Sequence, residues 1–484
     1  MSVSPSIVWF RRDFRLSDHP ALRAAIDRGG AVIPVYIHAP EEAHPWEPGE
    51  ASNWWRHKSL QLLDESLRQL GSRLILRRGG SLAELKLLLR ETGAEAVFYN
   101  RLYEPARIEY DKEIKQTLKA EGICVKSFNG ALLNEPWEIT SKSGTPFKVF
   151  TPFWRNVTTT TTPSAPLPKP STLAVPADWP KSVSLDSLAL HPKLDWWKGL
   201  DSAWQVGEQA AIKRLNQFLE SPVQDYGTQR DVPSVDGTGR ISPHLHFGEI
   251  TPRIVYQAVR NHYGEVESAP AGVSKFLAEI GWREFAHHLL GTIPTMDAEP
   301  INGKFKHFPW EENPEGLAAW QKGNTGFPIV DAGMRQLYET GWMHNRVRMI
   351  VGSFLVKDLR VHWSYGARWF WNTLVDADLA ANSMGWQWVA GCGADAAPYF
   401  RVFNPMTQGE KFDPEGKYLK RFVPELSAVP KQYIHQPWEL PGAFNIGGSA
   451  VAKNFKLGRD YPKPIVDHGE ERLKALAAYS KIKA

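Results

Sequence analysis

The first 130 residues carry a pattern that few folds accommodate. Five short apolar runs, at 7–10, 32–37, 74–76, 97–99 and 125–128, alternate with four amphipathic stretches at 20–27, 54–70, 81–91 and 109–120. Apolar runs of this length read as strands buried on both faces, and the stretches between them as crossover helices. The alternation predicts a doubly wound parallel sheet, a Rossmann-like α/β domain over residues 1–133. Arg11-Arg12-Asp13-Phe14-Arg15 follows the first run where a dinucleotide-binding turn would need glycines. The nucleotide-binding fingerprint is therefore absent, and that domain need not bind a dinucleotide.

The pattern then changes. Threonines 158–162 are followed by Pro163, Pro166, Pro168 and Pro170, and proline and serine stay frequent to about 190. Residues 134–200 thus read as a long surface linker. From 201 to 484 the periodicity is helical, at 208–219, 251–261, 273–290, 317–322, 331–340, 345–358, 367–382 and 470–479, and an all-helical domain is expected. Two domains suit 484 residues. No apolar run reaches about 18 residues and no signal segment opens the chain, so neither secretion nor a membrane span is expected. Two cysteines, Cys124 and Cys392, cannot form a four-cysteine cluster or a disulfide framework, which suits a reducing cytoplasm. The net charge of +4 does not by itself point to nucleic acid.

Chemistry concentrates late in the chain. Ten of the 20 tryptophans lie at or after Trp282. Asp376, Asp378, Asn382, Trp386 and Trp388 fall within 13 residues, followed by the aromatic and basic tract Tyr399, Phe400, Arg401, Phe403 and Lys411. Two carboxylates on so apolar a segment need donors. Arg348 or a large polar aromatic cofactor would supply them, and one Asp could instead cap a helix. Glu279 and Arg283 are one helical turn apart, either a surface ion pair or a partly buried one. Asn345, Arg348 and Met349 share a helix face, with Arg346 pointing elsewhere and His344 packing or capping. Thr238, Gly239, Arg240, Ile241 and Ser242 form a loop entering a helix, suited to a phosphate or to simple capping. No His, Cys and Asp cluster has metal-site spacing, so no metal is expected.

Taken in order, these segments resemble the photolyase/cryptochrome family. The matching stretches are Val8-Trp9-Phe10-Arg11-Arg12-Asp13-Phe14-Arg15-Leu16 and residues 238–242, 279–285, 342–349, 376–388 and 404–412. The resemblance is greatest to bacterial photolyases for cyclobutane pyrimidine dimers. Ile280-Gly281-Trp282 and the PFKVFTPFWR segment at 146–155 look like their class III group. The (6-4) photolyases carry a catalytic histidine in the helix where this chain has Asn345 and Met349. Plant cryptochromes tend to have Asp where this chain has Asn382.

The resemblance implies FAD in the helical domain, held by Tyr226, Thr238, Gly239, Arg240, Ile241, Ser242, Arg283, Asn345, Arg348, Asp376, Ala377, Asp378 and Asn382. It implies UV-damaged DNA as partner of a monomeric enzyme. The lesion would be met by Arg230, Glu279, Trp282, Asn345, Arg346, Met349, Trp388 and Arg401, with Glu279, Asn382 and Met349 closest to the chemistry. Trp386, Trp363 and Trp310 match the family's electron-transfer chain. An antenna is implied in or beside the α/β domain. Methenyltetrahydrofolate on Trp46, Trp54, Tyr103 and Glu104 is the first choice, with 8-hydroxy-deazaflavin or no antenna as alternatives. Ala106-Arg107 stands where well-known folate-binding members have Asn-Glu.

Overall fold

The computed structural model of the chain describes residues 3–264, 269–396, 400–443, 452 and 455–483. Tyr399 lies outside them. Five parallel strands, β1 (Ser6–Phe10), β2 (Val32–His38), β3 (Ile75–Arg78), β4 (Ala96–Asn100) and β5 (Cys124–Phe128), form one sheet in the order β3-β2-β1-β4-β5. Every residue of β1, β2 and β4 is buried. That requires cover on both faces, which α1 (Pro20–Arg28), α2 (Glu50–Arg68), α3 (Ser81–Thr92) and α4 (Pro105–Ala120) help to supply. The expected α/β domain is present, and the order reverses at β1. Loops following β1, β2 and β4 therefore open into one crevice at the carboxyl ends of the strands.

The stretch expected to be a bare linker contains a helix, α5 (Phe150–Thr160). Phe150, Phe153 and Val157 recur at helical spacing and are all buried. Its end draws in the first three threonines, whose hydroxyls bond back to carbonyls one turn earlier, such as Thr158 to Trp154 at 3.0 Å. Trp154 lies flat on Gly281, where a Cβ would come within 2.4 Å of the indole. A larger residue at 281 would push α5 off the helical domain.

The helical domain supplies α6 (Ala271–Thr292), α7 (Asn345–Ser353), α8 (Trp363–Thr373) and α9 (Leu379–Ala390). The single helix expected over 367–382 is two. Leu374 is extended, and the Asp378 side chain accepts the Ala381 N–H at 2.9 Å, starting a new helix. A carboxylate at that point satisfies an N-terminal donor better than it would sit inside a turn.

Buried charge ties the sheet to the helices. Arg15 is fully buried and donates to the carbonyls of Asp18, Gly248 and Gly130 at 2.7 Å each. Glu208 accepts the Leu16 and Ser17 amides at 3.0 and 2.9 Å. Glu249 accepts from Trp55 and Ser59 on α2. Arg15→Leu leaves three buried carbonyls without donors, at about 1–3 kcal/mol each. A lower urea midpoint is expected, with partial recovery in Arg15→Lys; an unchanged midpoint would remove Arg15 from this role.

Candidate functional site

A cavity of about 610 Å³ opens in the helical domain. Glu279 and Trp282 of α6, Asn345, Arg346, Arg348 and Met349 of α7, Asp376 and Ala377 of the break, Asn382, Trp386 and Trp388 of α9, and Arg401 all line it. Its floor depends on close approach. Gly366 on α8 lies beneath Trp386, where a Cβ would come within 2.1 Å of the indole ring.

The break between α8 and α9 sets the electrostatics. Asp376, with its side chain 5% exposed, receives Arg348 Nη2 on both oxygens at 3.0 and 2.9 Å, and the Ser242 hydroxyl at 2.7 Å. Asp378 turns the other way, capping α9 with His287 at 3.4 Å and His246 at 3.8 Å. Burial alone would raise the Asp378 carboxyl, but His287, His246 and Arg283 hold it well below its ordinary value. Asn382 donates its amide N–H to Ala367 O at 3.0 Å, leaving its carbonyl oxygen for a ligand donor. Trp386 is buried, and its indole N–H has no acceptor among the described residues.

The remaining expected site residues divide. Arg230 also lines the cavity and pairs with Glu279 at 2.5 Å. Arg346 bonds Asp231 at 2.8 Å and lies over Phe412 at 4.4 Å. Trp282 stacks on Phe150 of α5, centroids 3.8 Å apart and 8° from parallel, so one of its two faces is already covered. Trp388 donates to Asp395 O at 3.1 Å.

Other expected residues do not line the cavity. Tyr226 and Ile241 are buried in a neighbouring apolar cluster, and Gly239 abuts Phe218 and Phe276. The Thr238 carbonyl is occupied by Arg214. Arg240 lies over the Trp342 and Trp204 rings at 4.6 and 5.3 Å. Arg283 bonds Ala131 O at 2.8 Å, towards the α/β domain. From this loop the Ser242 hydroxyl reaches the cavity wall through Asp376. Of the other two expected electron-transfer residues, Trp363 is 1% exposed and Trp310 is half-buried.

A second cavity, about 320 Å³, sits in the crevice at the carboxyl ends of the strands, against the helical domain. Trp46 and Glu104 line it, with Glu104 paired to Arg12. Trp54 does not, being fully buried between core side chains, and Tyr103 packs on Trp137 and His287 instead. Sequence reasoning missed the arginines that dominate this cavity: Arg11, Arg12, Arg56 and Arg107. The run after β1 was the available signal for two of them. Arg56 is 6% exposed and bonds Asn53 at 2.8 Å, with no carboxylate paired to it among the described residues. It also missed Phe150, Asp231 and Phe412, which come from segments remote in sequence.

Two family models match: "DNA photolyase" over residues 6–171 and "FAD binding domain of DNA photolyase" over 276–481. The deoxyribodipyrimidine photo-lyase of Agrobacterium fabrum is 47% identical over 100% of this chain and 99% of its own length. The chain belongs to the photolyase/cryptochrome family. Cryptochrome-1 of Arabidopsis thaliana is 40% identical over 99% of this chain and 70% of its own length. A crystal structure of a bacterial class III photolyase from Agrobacterium tumefaciens superposes with a TM-score of 0.94 at 46% identity, covering 100% of this chain and 98% of that one.

The residues around the larger cavity fit the FAD expected of a family member. They offer a cationic side chain balanced by one carboxylate, an amide oxygen, and an orphaned indole donor within one apolar enclosure. Among the described residues no helix is long and apolar enough to cross a membrane.

The helix bearing five cavity residues is itself capped by His344, whose ring accepts the Arg346 N–H at 3.2 Å. Burial pushes His344 down to about 4. A depressed histidine favours folding above its unfolded value near 6.5 and loses that contribution, about 3 kcal/mol at most, as pH falls towards 4. Flavin release on acidification is expected in this window. His344→Asn keeps a capping acceptor that does not titrate, and should shift the release midpoint downward; fluorescence of freed flavin against pH checks it.

Proposed function

We propose that this chain is a deoxyribodipyrimidine photo-lyase of the class III kind that splits cyclobutane pyrimidine dimers in UV-damaged DNA under light. The observation that carries this reading is the convergence of Glu279, Trp282, Met349, Asn382 and Trp388 on one cavity whose wall holds the Asp376–Arg348 pair. FAD, when bound here, would supply light-driven one-electron donor chemistry.

The chain's own residues do the rest. Arg348 and Asp376 offset negative charge at the cofactor, and the neutral Asn382 amide offers an acceptor without adding a second anion. An Asp at 382 would penalise a reduced, anionic cofactor. The dimer must leave the duplex to arrive here, at a few kcal/mol, less for a poorly paired lesion. Trp388 and the free face of Trp282 stack on the flipped bases, roughly 1–3 kcal/mol per base. Glu279, aimed by Arg230, hydrogen-bonds the polar edge of the dimer. Arg346 and Arg401 take flanking phosphates, which makes affinity fall with salt. Trp386, Trp363 and Trp310 would carry electrons inward from the surface towards the cofactor.

The smaller cavity is the place for an antenna. Its buried guanidinium groups favour a ligand with a carboxylate, and burial lowers Arg56 and Arg107 from their ordinary values. Methenyltetrahydrofolate, with its glutamate tail, fits that chemistry better than an uncharged ring. Absorbance of the purified protein before and after denaturation identifies the chromophore.

Illuminating the reduced protein with dimer-containing DNA should restore thymine absorbance, and no recovery would sink the reading. Glu279→Ala is expected to lower the repair yield about tenfold while changing dimer affinity by less than about 1 kcal/mol, a loss confined to the reacting state. Trp386→Phe should abolish photoreduction yet leave repair by chemically reduced protein intact, as flash photolysis and repair assays on the same preparation will show.

A further inference from the structure

The proposed route from Trp386 through Trp363 and Trp310 is not made of indoles alone. His362 stands directly before Trp363, at the N-terminal cap of α8. Its ring centroid is 5.3 Å from that of Trp363, with the planes 33° apart. On its other side it is 5.1 Å from Trp310, at 77°. One imidazole is thus in ring contact with both outer tryptophans. Phe308 also touches Trp310, at 4.4 Å, but its further ring contacts run to Phe305 and Phe400.

We propose that His362 is a bridging residue that carries the electronic coupling between Trp310 and Trp363. The proposal rests on the tryptophan path described above. In this step one electron leaves Trp310 and reaches the Trp363 radical cation. Trp363 returns to its closed-shell form, and Trp310 becomes the radical cation, later reduced by a thiol added to the solution. His362 is neither oxidised nor protonated; it positions orbitals between the two indoles.

The local geometry suits a passive bridge better than a proton acceptor. Nδ1 accepts the Ser364 N–H at 3.2 Å and lies 2.7 Å from the Ser364 hydroxyl. The lone pair of Nδ1 is therefore engaged, and the neutral ring carries its proton on Nε2. Two bonds to one residue also hold the ring plane in place. Burial lowers the His362 pKa, which keeps the ring uncharged beside a tryptophan that must become a cation. An imidazolium at that distance would oppose the step.

The competing explanation is that His362 only caps α8. Two variants of the flavin-loaded protein separate the roles. His362→Asn keeps a capping acceptor and removes the ring; His362→Phe keeps a ring and removes the acceptor. Transient absorption reads the lifetime of the Trp363 radical, and thermal melting reads the cap. His362→Asn should melt like the parent yet lengthen the Trp363 radical about tenfold, because the ring contact is gone. His362→Phe should melt lower and pass the electron within about threefold of the parent rate, because ring contact remains. An Asn variant as fast as the parent overturns the proposal, whatever the Phe variant does. Trp363→Phe is the control for the underlying path. Undiminished photoreduction in that variant means the path itself is wrong, a different result from a path that needs Trp363 and ignores His362.

Discussion

Two carboxylates that the chain must bury within three residues organise the helical domain. Asp376 and Asp378 cannot share one donor, and the backbone between α8 and α9 separates them. Asp376 finds Arg348 on α7 and the Ser242 hydroxyl; Asp378 finds the amides of α9 and the histidines of two other segments. Each solution recruits elements far apart in sequence, so satisfying both fixes α7, α9 and the 242 loop around one space. Breaking the helix costs several backbone bonds, which the cap at Asp378 partly replaces. The result is an enclosure with one balanced ion pair in its wall, where a large polar aromatic cofactor can be desolvated without leaving an unpaired charge.

The seam between the domains has the same logic. Arg15, Glu208 and Glu249 are all buried, and each is satisfied across the seam or by backbone of the opposite segment. Such groups tolerate little displacement, because a lost partner leaves an expensive orphan. A rigid seam matters for the proposed light-harvesting role. Ala377 lines both cavities, so a chromophore in the arginine-rich cleft and a cofactor in the helical domain would sit on either side of one small side chain.

Much of the fold was legible before any coordinates. The five apolar runs became five strands because strands buried on both faces leave a continuous signal. The helix break was harder: apolar residues recur at helical spacing across 367–382, and the extended Leu374 and the capping geometry of Asp378 show where one helix stops and the next starts. The helix at Phe150–Thr160 hid beside a threonine and proline run whose composition suggests a linker. Among the expected site residues, Glu279, Met349, Asn382 and Trp386 line one cavity, whereas Arg240, Arg283 and Tyr226 do not line it, since a motif names a segment and says little about which way each side chain turns.

The sequence by itself determined the two fold classes, their order and the family, because periodicity and linear motifs are local properties that survive without a partner. Only the tertiary structure decided that Arg230 belongs to Glu279, that Phe150 covers one face of Trp282, and that His362 lies between Trp363 and Trp310. Those are contacts between side chains from separate elements, apart from the neighbouring His362–Trp363 pair. Their distances follow from how the helices pack, which no spacing along the chain records.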